Sequence, residues 1–157
     1  MTAVDKKLAS LAWESLLRSQ VDIMRRFEAD NLMPELSLKE YDVLFTLRGA
    51  PNRALRLKEL NEHVLLHQSA LSRLVERLEA RGLVTRERCP DDLRGTTIHI
   101  TEHGLDVQGR MARIHIEQIA SYVGGALEPE ELETLRTLTG KLRSAQRSIP
   151  SYQPASS

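Results

Sequence analysis

The sequence is poor in several features that define whole classes of protein. It has one cysteine in 157 residues, so no disulfide can form within the chain, which is typical of a reducing compartment. It has only six aromatic residues: one Trp, three Tyr and two Phe. Its 22 basic and 22 acidic side chains give a formal net charge of zero. That balance excludes a polycation that coats DNA through charge alone, but it leaves a local basic surface open.

Long apolar segments and enzyme motifs are missing as well. No stretch is long and apolar enough to span a bilayer, and the first apolar run, after Lys6 and Lys7, is broken by Glu14. We therefore expect a cytoplasmic protein without a membrane segment or a secretory signal. The chain contains no Gly-x-Ser-x-Gly, no His-Glu-x-x-His, no phosphate-binding glycine loop and no Rossmann fingerprint. We expect no enzymatic activity and no cofactor.

What the sequence does contain is a helical pattern through most of its length. Apolar residues at three- and four-residue steps predict a first helix over about 6–30, and Pro34 falls in the break that follows. Ser37 and Glu40 have the spacing of a capping box, which predicts that a second helix begins there and ends near Arg48. We expect four residues of that helix to face inward: Tyr41, Leu44, Phe45 and Leu47.

Two further helices follow a turn at 49–52. The first is short, with its apolar residues at Leu57, Leu60 and Val64. A tight link at 65–67 leads to the second, from about Gln68 to Arg81, whose predicted buried stripe is Leu71, Leu74, Val75 and Leu78. Gly82 stands where a helix commonly ends in the left-handed conformation.

The pattern then changes to a period of two residues. Segments 83–88 and 96–100 predict two strands, joined by a polar hairpin tip at 89–95. Thr101 can cap a helix that runs to about 123, and Pro129 begins a last helix with an apolar seam at Leu132, Leu135, Leu138 and Leu142. The predicted fold is mainly α with a small two-stranded β wing, which is a winged helix-turn-helix with terminal dimerisation helices.

This element order predicts where DNA would be contacted. In a winged helix-turn-helix the second helix of the pair enters the major groove, and its amino-terminal residues meet base edges. The candidates opposite the apolar stripe are Gln68, Ser69, Ser72 and Arg73, of which Arg73 suits guanine edges and phosphates best. Arg77, one turn later, is expected to touch phosphate or to pair locally, and Arg94 at the wing tip suits a minor groove. The alternative is an ordinary solvated helix face.

Two motifs give the chain a family resemblance. Residues 69–84 (SALSRLVERLEARGLV) resemble the recognition helix and wing entry of the MarR family of bacterial transcription regulators. Asp92-Leu93-Arg94, followed by residues 98–104 (IHITEHG), is similar to that family's Asp-Arg-Arg wing tip and Leu-Thr-x-x-Gly helix entry. The chain departs from the pattern at Leu93, where many members have arginine, and at His67, where Ser or Thr commonly caps the recognition helix.

The resemblance implies a domain plan and a mode of action. It implies one MarR-like domain over 1–148, with a DNA-binding lobe at about 37–101 and dimerisation helices at about 5–31 and 102–147. The Pro-, Ser- and Ala-rich composition of the end of the chain predicts a flexible tail at 149–157. A homodimer would bind a pseudo-palindromic operator in double-stranded DNA and act as a repressor released by a small-molecule ligand. Asp92 would brace Arg94. A small aromatic or phenolic effector could bind near Trp13, Tyr41 and Phe45, although these rings also suit an ordinary core.

Several alternatives remain open on the sequence alone. Cys89, near Arg86 and Arg88, could be a redox sensor or an inert thiol. His63 and His67 are four residues apart, but no further ligand completes a zinc site, so we expect no metal. Between His63 and Ile100 the basic residues exceed the acidic ones by only one. That near-neutrality keeps open a winged-helix protein-interaction module that binds no specific DNA.

Overall fold

The computed structural model describes residues 5–64, 66–88 and 95–153, and within them it has six α-helices and a small antiparallel sheet. The chain divides into two compact units, Met1–Ile116 and Glu117–Ser157. The elements of the first unit are α1 (Lys6–Asp30), α2 (Leu38–Gly49), β1 (Ala54–Arg56), α3 (Leu57–His63), α4 (Gln68–Ala80), β2 (Val84–Arg88), β3 (Thr96–Ile100) and most of α5 (Glu102–Ile119). In the second unit a π-helical segment, Ala120–Gly124, precedes α6 (Pro129–Ala145).

Side chains cap α2 and α5 where the sequence predicts their starts. The Ser37 hydroxyl accepts a hydrogen bond from the Glu40 amide at 3.3 Å, and the Glu40 carboxylate accepts one from the Ser37 amide at 2.9 Å. This confirms the predicted capping box. The Thr101 hydroxyl accepts from the Gly104 amide at 3.0 Å, so Thr101 caps α5 as expected. Gly82 has φ of +69°, the left-handed stop predicted after α4.

The sheet contains a strand that the sequence pattern did not reveal. Its order is β1-β3-β2, so β3 is central and pairs antiparallel with both neighbours. The predicted hairpin of β2 and β3 is confirmed, and β1 adds to its far edge with Leu55 opposite Ile98. β1 has only three residues, which is too short for a two-residue period to be recognised.

The core of the first unit lies between α2, α4 and the sheet. The predicted stripe of α4 is confirmed, because all four of its apolar residues are buried. On α2 the structure buries Tyr41, Leu44 and Leu47 as predicted, together with Val43, but it exposes 57% of Phe45. The prediction that Phe45 faces inward is therefore wrong. Each residue turns the helix by about 100°, which places Phe45 just beyond the edge of the buried arc.

Gly104 marks a close contact between α5 and the end of the turn that follows α4. A Cβ atom at this position would lie 2.1 Å from the Leu83 carbonyl oxygen and 2.8 Å from Cγ1 of Ile100. The Thr101 amide donates to the same carbonyl oxygen at 3.1 Å, and the Thr101 hydroxyl donates to the Gly82 carbonyl at 2.7 Å. The start of α5 is thus fixed against β2 by backbone contacts that only glycine permits.

The second unit is built around α6. Pro129 occupies its first turn, and the Glu128 amide donates to the Glu131 carboxylate at 2.9 Å. The predicted seam of α6 is largely exposed, because Leu135, Leu138 and Leu142 face solvent in the single chain. None of the described helices is both long enough and apolar enough to cross a membrane.

Candidate nucleic-acid interface

The helix predicted to enter DNA has one buried face and one open face. Its first residues, Gln68 and Ser69, are exposed, as is Arg73, while Ser72 is half-buried. His67 precedes the helix without a side-chain cap, as its departure from the family pattern predicts, so the first amides are not capped by a side chain. The open face of α4 therefore carries the residue types that can hydrogen-bond base edges and phosphates.

Arg73 lies at the centre of the open face. In the part of the chain that the structure describes, no carboxylate lies within ion-pair distance of its guanidinium. Its own carbonyl accepts a hydrogen bond from Arg77 at 3.5 Å. Arg73 thus combines exposure with a guanidinium that has no ion pair to break, among the described residues, before it contacts a ligand.

On the flank facing α2, two arginines are already engaged. The Glu40 Oε1 lies 3.5 Å from Arg81 NH1 and 4.0 Å from Arg77 Nε. Arg81 also donates from NH2 to the Glu35 carbonyl oxygen. The second possibility raised for Arg77, local pairing, therefore has an identified partner in Glu40.

On the flank facing the wing, Arg86 of β2 is engaged in the same way. Its Nε and NH2 both lie 2.6 Å from Glu79 Oε2, and NH1 lies 3.8 Å from Glu76 Oε1. The Glu79 carboxylate also accepts from the Arg86 amide at 3.2 Å. The hydrogen bond with the Arg86 guanidinium lowers the pKa of Glu79, which keeps this carboxylate charged. These contacts tie α4 to the wing strand.

The structure shows how the nearly equal numbers of basic and acidic residues between His63 and Ile100 are arranged around α4. Glu40 pairs with Arg77 and Arg81 on one flank of α4, and Glu76 and Glu79 pair with Arg86 on the other. Arg73 lies between those flanks. A local count of charges could not distinguish this arrangement from a uniformly neutral surface. Among the described residues, the α4 surface thus has paired arginines on both flanks and an arginine without an ion pair, Arg73, between them.

The predicted wing-tip residues fall outside the described residues. These are Cys89, Asp92 and Arg94, whose assigned roles stay predictions. Nearby on the wing, Nε2 of His99 lies 3.3 Å from the Glu87 carboxylate.

The aromatic residues form a cluster that differs from the predicted one. Tyr41 and Phe45 stack with ring centroids 6.0 Å apart, as their spacing on one helix predicts. His115 joins them edge-on, 5.1 Å from Tyr41 and 4.8 Å from Phe27. Trp13 is 60% exposed and lies fourteen residues before Phe27 on α1, which is roughly 21 Å along a helix axis. Within one chain the structure brings Tyr41 and Phe45 together but leaves Trp13 apart.

A buried polar group adjoins this cluster. Gln108 of α5 is 2% exposed, and its Oε1 accepts from Arg48 NH1 at 2.8 Å. Burial raises the pKa of the neighbouring Tyr41 hydroxyl, and Gln108 partly offsets this rise. Sequence reasoning did not find Gln108, because a glutamine inside an amphipathic helix gives no signal of its own.

An open cleft of about 500 Å³ lies beside the charged flank. Its walls include Phe27, Met33, Glu35, Glu40 and Arg81, but none of the three predicted ligand-binding aromatics. Glu35 is held by Arg110 of α5, whose Nε and NH2 lie 3.2 and 2.8 Å from its two carboxylate oxygens. The described residues include no group of three or more His, Cys, Asp or Glu placed to hold a metal ion.

Comparison with known proteins places the chain among transcription regulators. A sequence model of the MarR family matches residues 35–95. The HTH-type transcriptional regulator PecS of Dickeya dadantii (strain 3937) is 31% identical over 110 residues, covering 69% of this chain and 65% of PecS, slightly under two thirds of that protein.

Two solved structures from Streptomyces coelicolor share the fold over nearly the whole chain. Sco3205, a MarR family transcriptional regulator in complex with DNA, has a TM-score of 0.76 at 28% identity and covers 96% of this chain and 94% of its own. The PcaV transcriptional regulator, in complex with its natural ligand, has a TM-score of 0.65 at 26% identity and covers 93% and 99%. In the matched helix-turn-helix segment, in its element order and in these solved structures, the chain is similar to the MarR family of winged helix-turn-helix transcription regulators.

Proposed function

We propose that this protein is a homodimeric, sequence-specific DNA-binding repressor that acts in the cytoplasm and leaves its operator when a small aromatic or phenolic ligand binds. One observation carries the proposal. Arg73 is exposed near the middle of α4, without a carboxylate partner among the described residues, while the opposite face of that helix is buried in the core. An arginine so placed can bond guanine edges or phosphates bidentately.

The DNA contacts would come from the first half of α4 and from the wing. Gln68, Ser69 and Ser72 would hydrogen-bond bases or phosphates beside Arg73. Arg94, braced by Asp92, would reach the minor groove or the backbone. The likeness to Sco3205, which was solved with DNA, supports this docking. Two such helices entering successive major grooves, about one helical turn apart, would require a pseudo-palindromic operator.

Exposed apolar rows support the homodimer. On α1, a row of exposed apolar side chains on one face of the helix consists of Trp13, Leu17, Val21 and Met24, and Leu8 and Leu11 are exposed elsewhere on it. In the other unit, α6 presents Leu135, Leu138 and Leu142. Contiguous exposed apolar surface of this kind usually marks an interface. A second copy of the chain would cover both rows and would hold two α4 helices at a fixed spacing.

Ligand control would act on that spacing. The aromatic cluster of Tyr41, Phe45, Phe27 and His115 joins α1, α2 and α5, so a planar ligand inserted there would shift helices that carry the DNA-binding lobe. PcaV, a neighbour of similar fold, was solved with its natural ligand. Repression is the proposed sign of action, because a dimer bound across a promoter excludes the polymerase.

A gel shift tests the proposal. The probe is the intergenic DNA upstream of the protein's own gene, with the same bases in scrambled order as competitor. We expect a retarded complex that the scrambled duplex does not displace and that added phenolic acids weaken. Equal binding to both duplexes would contradict a sequence-specific regulator. No binding to either would favour the protein-interaction module instead.

A further inference from the structure

Glu40 uses its two carboxylate oxygens for different contacts. Oε2 accepts from the Ser37 amide at 2.9 Å and from the Ser37 hydroxyl at 3.1 Å, and so completes the cap of α2. Oε1 faces Arg77 and Arg81 of the recognition helix and its end. The Glu40 side chain is only 12% exposed, so the carboxylate is fixed in this position. A negative charge is thereby anchored beside the predicted DNA-binding helix.

The two arginines are turned toward this charge. Arg77 has its Nε 4.0 Å from Glu40 and donates from NH1 to the Arg73 carbonyl at 3.5 Å, so its guanidinium folds back along its own helix. Arg81 is held at two points, by the Glu40 carboxylate and by the Glu35 carbonyl oxygen. Both guanidinium groups have partners on the α2 flank.

We propose that Glu40 is a positioning residue for DNA binding, which holds Arg77 and Arg81 on the α2 flank of α4 so that neither neutralises DNA phosphates. The inference rests on the proposed function. Phosphate contacts raise affinity for any sequence and make it depend on salt, but they carry no base information. Glu40 therefore lowers the sequence-independent part of binding and leaves base discrimination to Arg73.

The capping box supplies a substitution that separates the two tasks of Glu40. Glutamine can replace glutamate at the third helical position of a capping box, so Glu40→Gln keeps the cap of α2 and removes the charge that faces the arginines. Arg81 keeps its bond to the Glu35 carbonyl in this variant. Arg77 is then the side chain that becomes free to reach DNA.

The experiment measures binding constants across a salt series. The probes are a duplex that the wild-type protein selects from a random-sequence library and a scrambled duplex of equal length. We expect Glu40→Gln to steepen the slope of log affinity against log salt by roughly 0.9 per chain on both duplexes. At 0.1 M salt, each added contact should tighten binding by up to about tenfold. Base preference on single-base variants of the selected duplex should not change.

Three further variants separate arginine release from other causes. Glu62 of α3 is exposed, and its carboxylate has no ion-pair partner among the described residues. Glu62→Gln should therefore leave the salt slope nearly unchanged. Arg77→Gln alone should also leave it unchanged, because a restrained Arg77 does not touch phosphate. Adding Arg77→Gln to Glu40→Gln should restore the wild-type slope.

Each contrary result overturns the proposal. If Glu62→Gln steepens the salt slope as much as Glu40→Gln does, the loss of one negative charge explains the effect and the position of Glu40 does not. If Glu40→Gln weakens binding, Glu40 directs the arginines toward DNA. If Arg77→Gln alone flattens the salt slope by about one phosphate contact per chain, Arg77 already contacts phosphate in the wild-type protein. This test does not depend on whether Glu40→Gln folds. A wild-type protein that selects no duplex would refute the proposed function itself, whereas normal selection with an unchanged Glu40→Gln slope would refute only the role of Glu40.

Discussion

At the scale of single residues, substitutions of Arg73 and Arg94 are expected to change DNA binding in different ways. Arg73→Ala should cost about 1–3 kcal/mol on the operator and relax base preference at one position, because the lost contacts are to base edges. Arg94→Ala should weaken binding with little change in base preference, and its salt slope should fall by roughly one phosphate contact per chain. Binding series on the operator and on single-base variants measure both. Wild-type binding by both variants would contradict the DNA-binding role.

Gln108 gives a second prediction at this scale, for stability. Gln108→Leu keeps the volume of the side chain but removes the acceptor of the Arg48 hydrogen bond, so the free energy of unfolding should fall by about 1–3 kcal/mol. Gln146→Leu is the control, because the Gln146 side chain is exposed and its amide donates to the Leu142 carbonyl of its own segment. Its effect should stay within about 0.5 kcal/mol in urea unfolding. If both variants lose the same free energy of unfolding, the hydrogen bond between Gln108 and Arg48 contributes little to stability.

The sequence predicted residues whose roles depend on local pattern and missed those that depend on packing between elements. The exposed position of Arg73 follows from the helical period of α4 alone. Its neighbour Arg77 meets Glu40, 37 positions earlier, only because α2 packs beside α4. His115 likewise reaches Phe27 and Tyr41 through the packing of α5. Such pairs leave no spacing in the sequence to recognise.

At the scale of elements, Gly104 controls the approach of α5 to the wing. Gly104→Ala would place a Cβ atom against the Leu83 carbonyl oxygen, so the backbone must shift, and we expect a loss of about 1–3 kcal/mol. Gly109→Ala on the same helix is the control. Its nearest neighbour would be the end of the Arg48 side chain at 3.5 Å, and alanine there should be neutral or stabilise by about 0.4–1 kcal/mol. The melting temperature and the urea midpoint should fall for Gly104→Ala, and they should stay unchanged or rise for Gly109→Ala.

The ion pair between Glu35 and Arg110 joins the segment before α2 to α5 and predicts a pH dependence. Arg110 lowers the pKa of the Glu35 carboxyl from its ordinary 4.5, so the folded state favours the charged form. The pair therefore stabilises the fold at neutral pH, and this contribution is lost as pH falls through the lowered pKa. Glu35→Gln should lower the urea midpoint slightly at pH 7, and its difference from the wild type should shrink as the pH falls below 4.5. Arg110→Gln should show the same pattern, and a gap that widens in acid would contradict the assignment.

The elements themselves were predictable to different degrees. The helices, β2, β3 and the Ser37–Glu40 capping box follow from periodicity and from hydroxyl or carboxylate residues at helix starts. β1 was missed because three residues cannot display a period, and its pairing with β3 depends on the rest of the sheet. Phe45 was misplaced because hydrophobicity alone does not fix where a buried arc ends. The structure shows that Val43 occupies the arc instead.

At the scale of the whole molecule, association is the central expectation. Sedimentation at micromolar concentration should give about twice the 17.8 kDa chain mass. Leu138→Asp should dissociate or unfold the protein, because Leu138 lies in the exposed seam of α6 and a charge buried there would have no partner. Thr137→Asp, one residue away and outside the seam, should remain dimeric. A monomeric wild-type protein that still binds its operator tightly would refute the two-lobe arrangement.

The outer edge of the sheet has a consequence for how copies of this chain can avoid aggregating. β2 is an edge strand, and Arg86, Glu87 and Arg88 on it are all exposed. β1, the other edge, has only three residues. Short edges and charged edges both oppose the addition of a foreign strand. The sheet edges therefore resist pairing with strands of other chains. At high concentration, copies of the chain should associate through their helices and should not form fibrils.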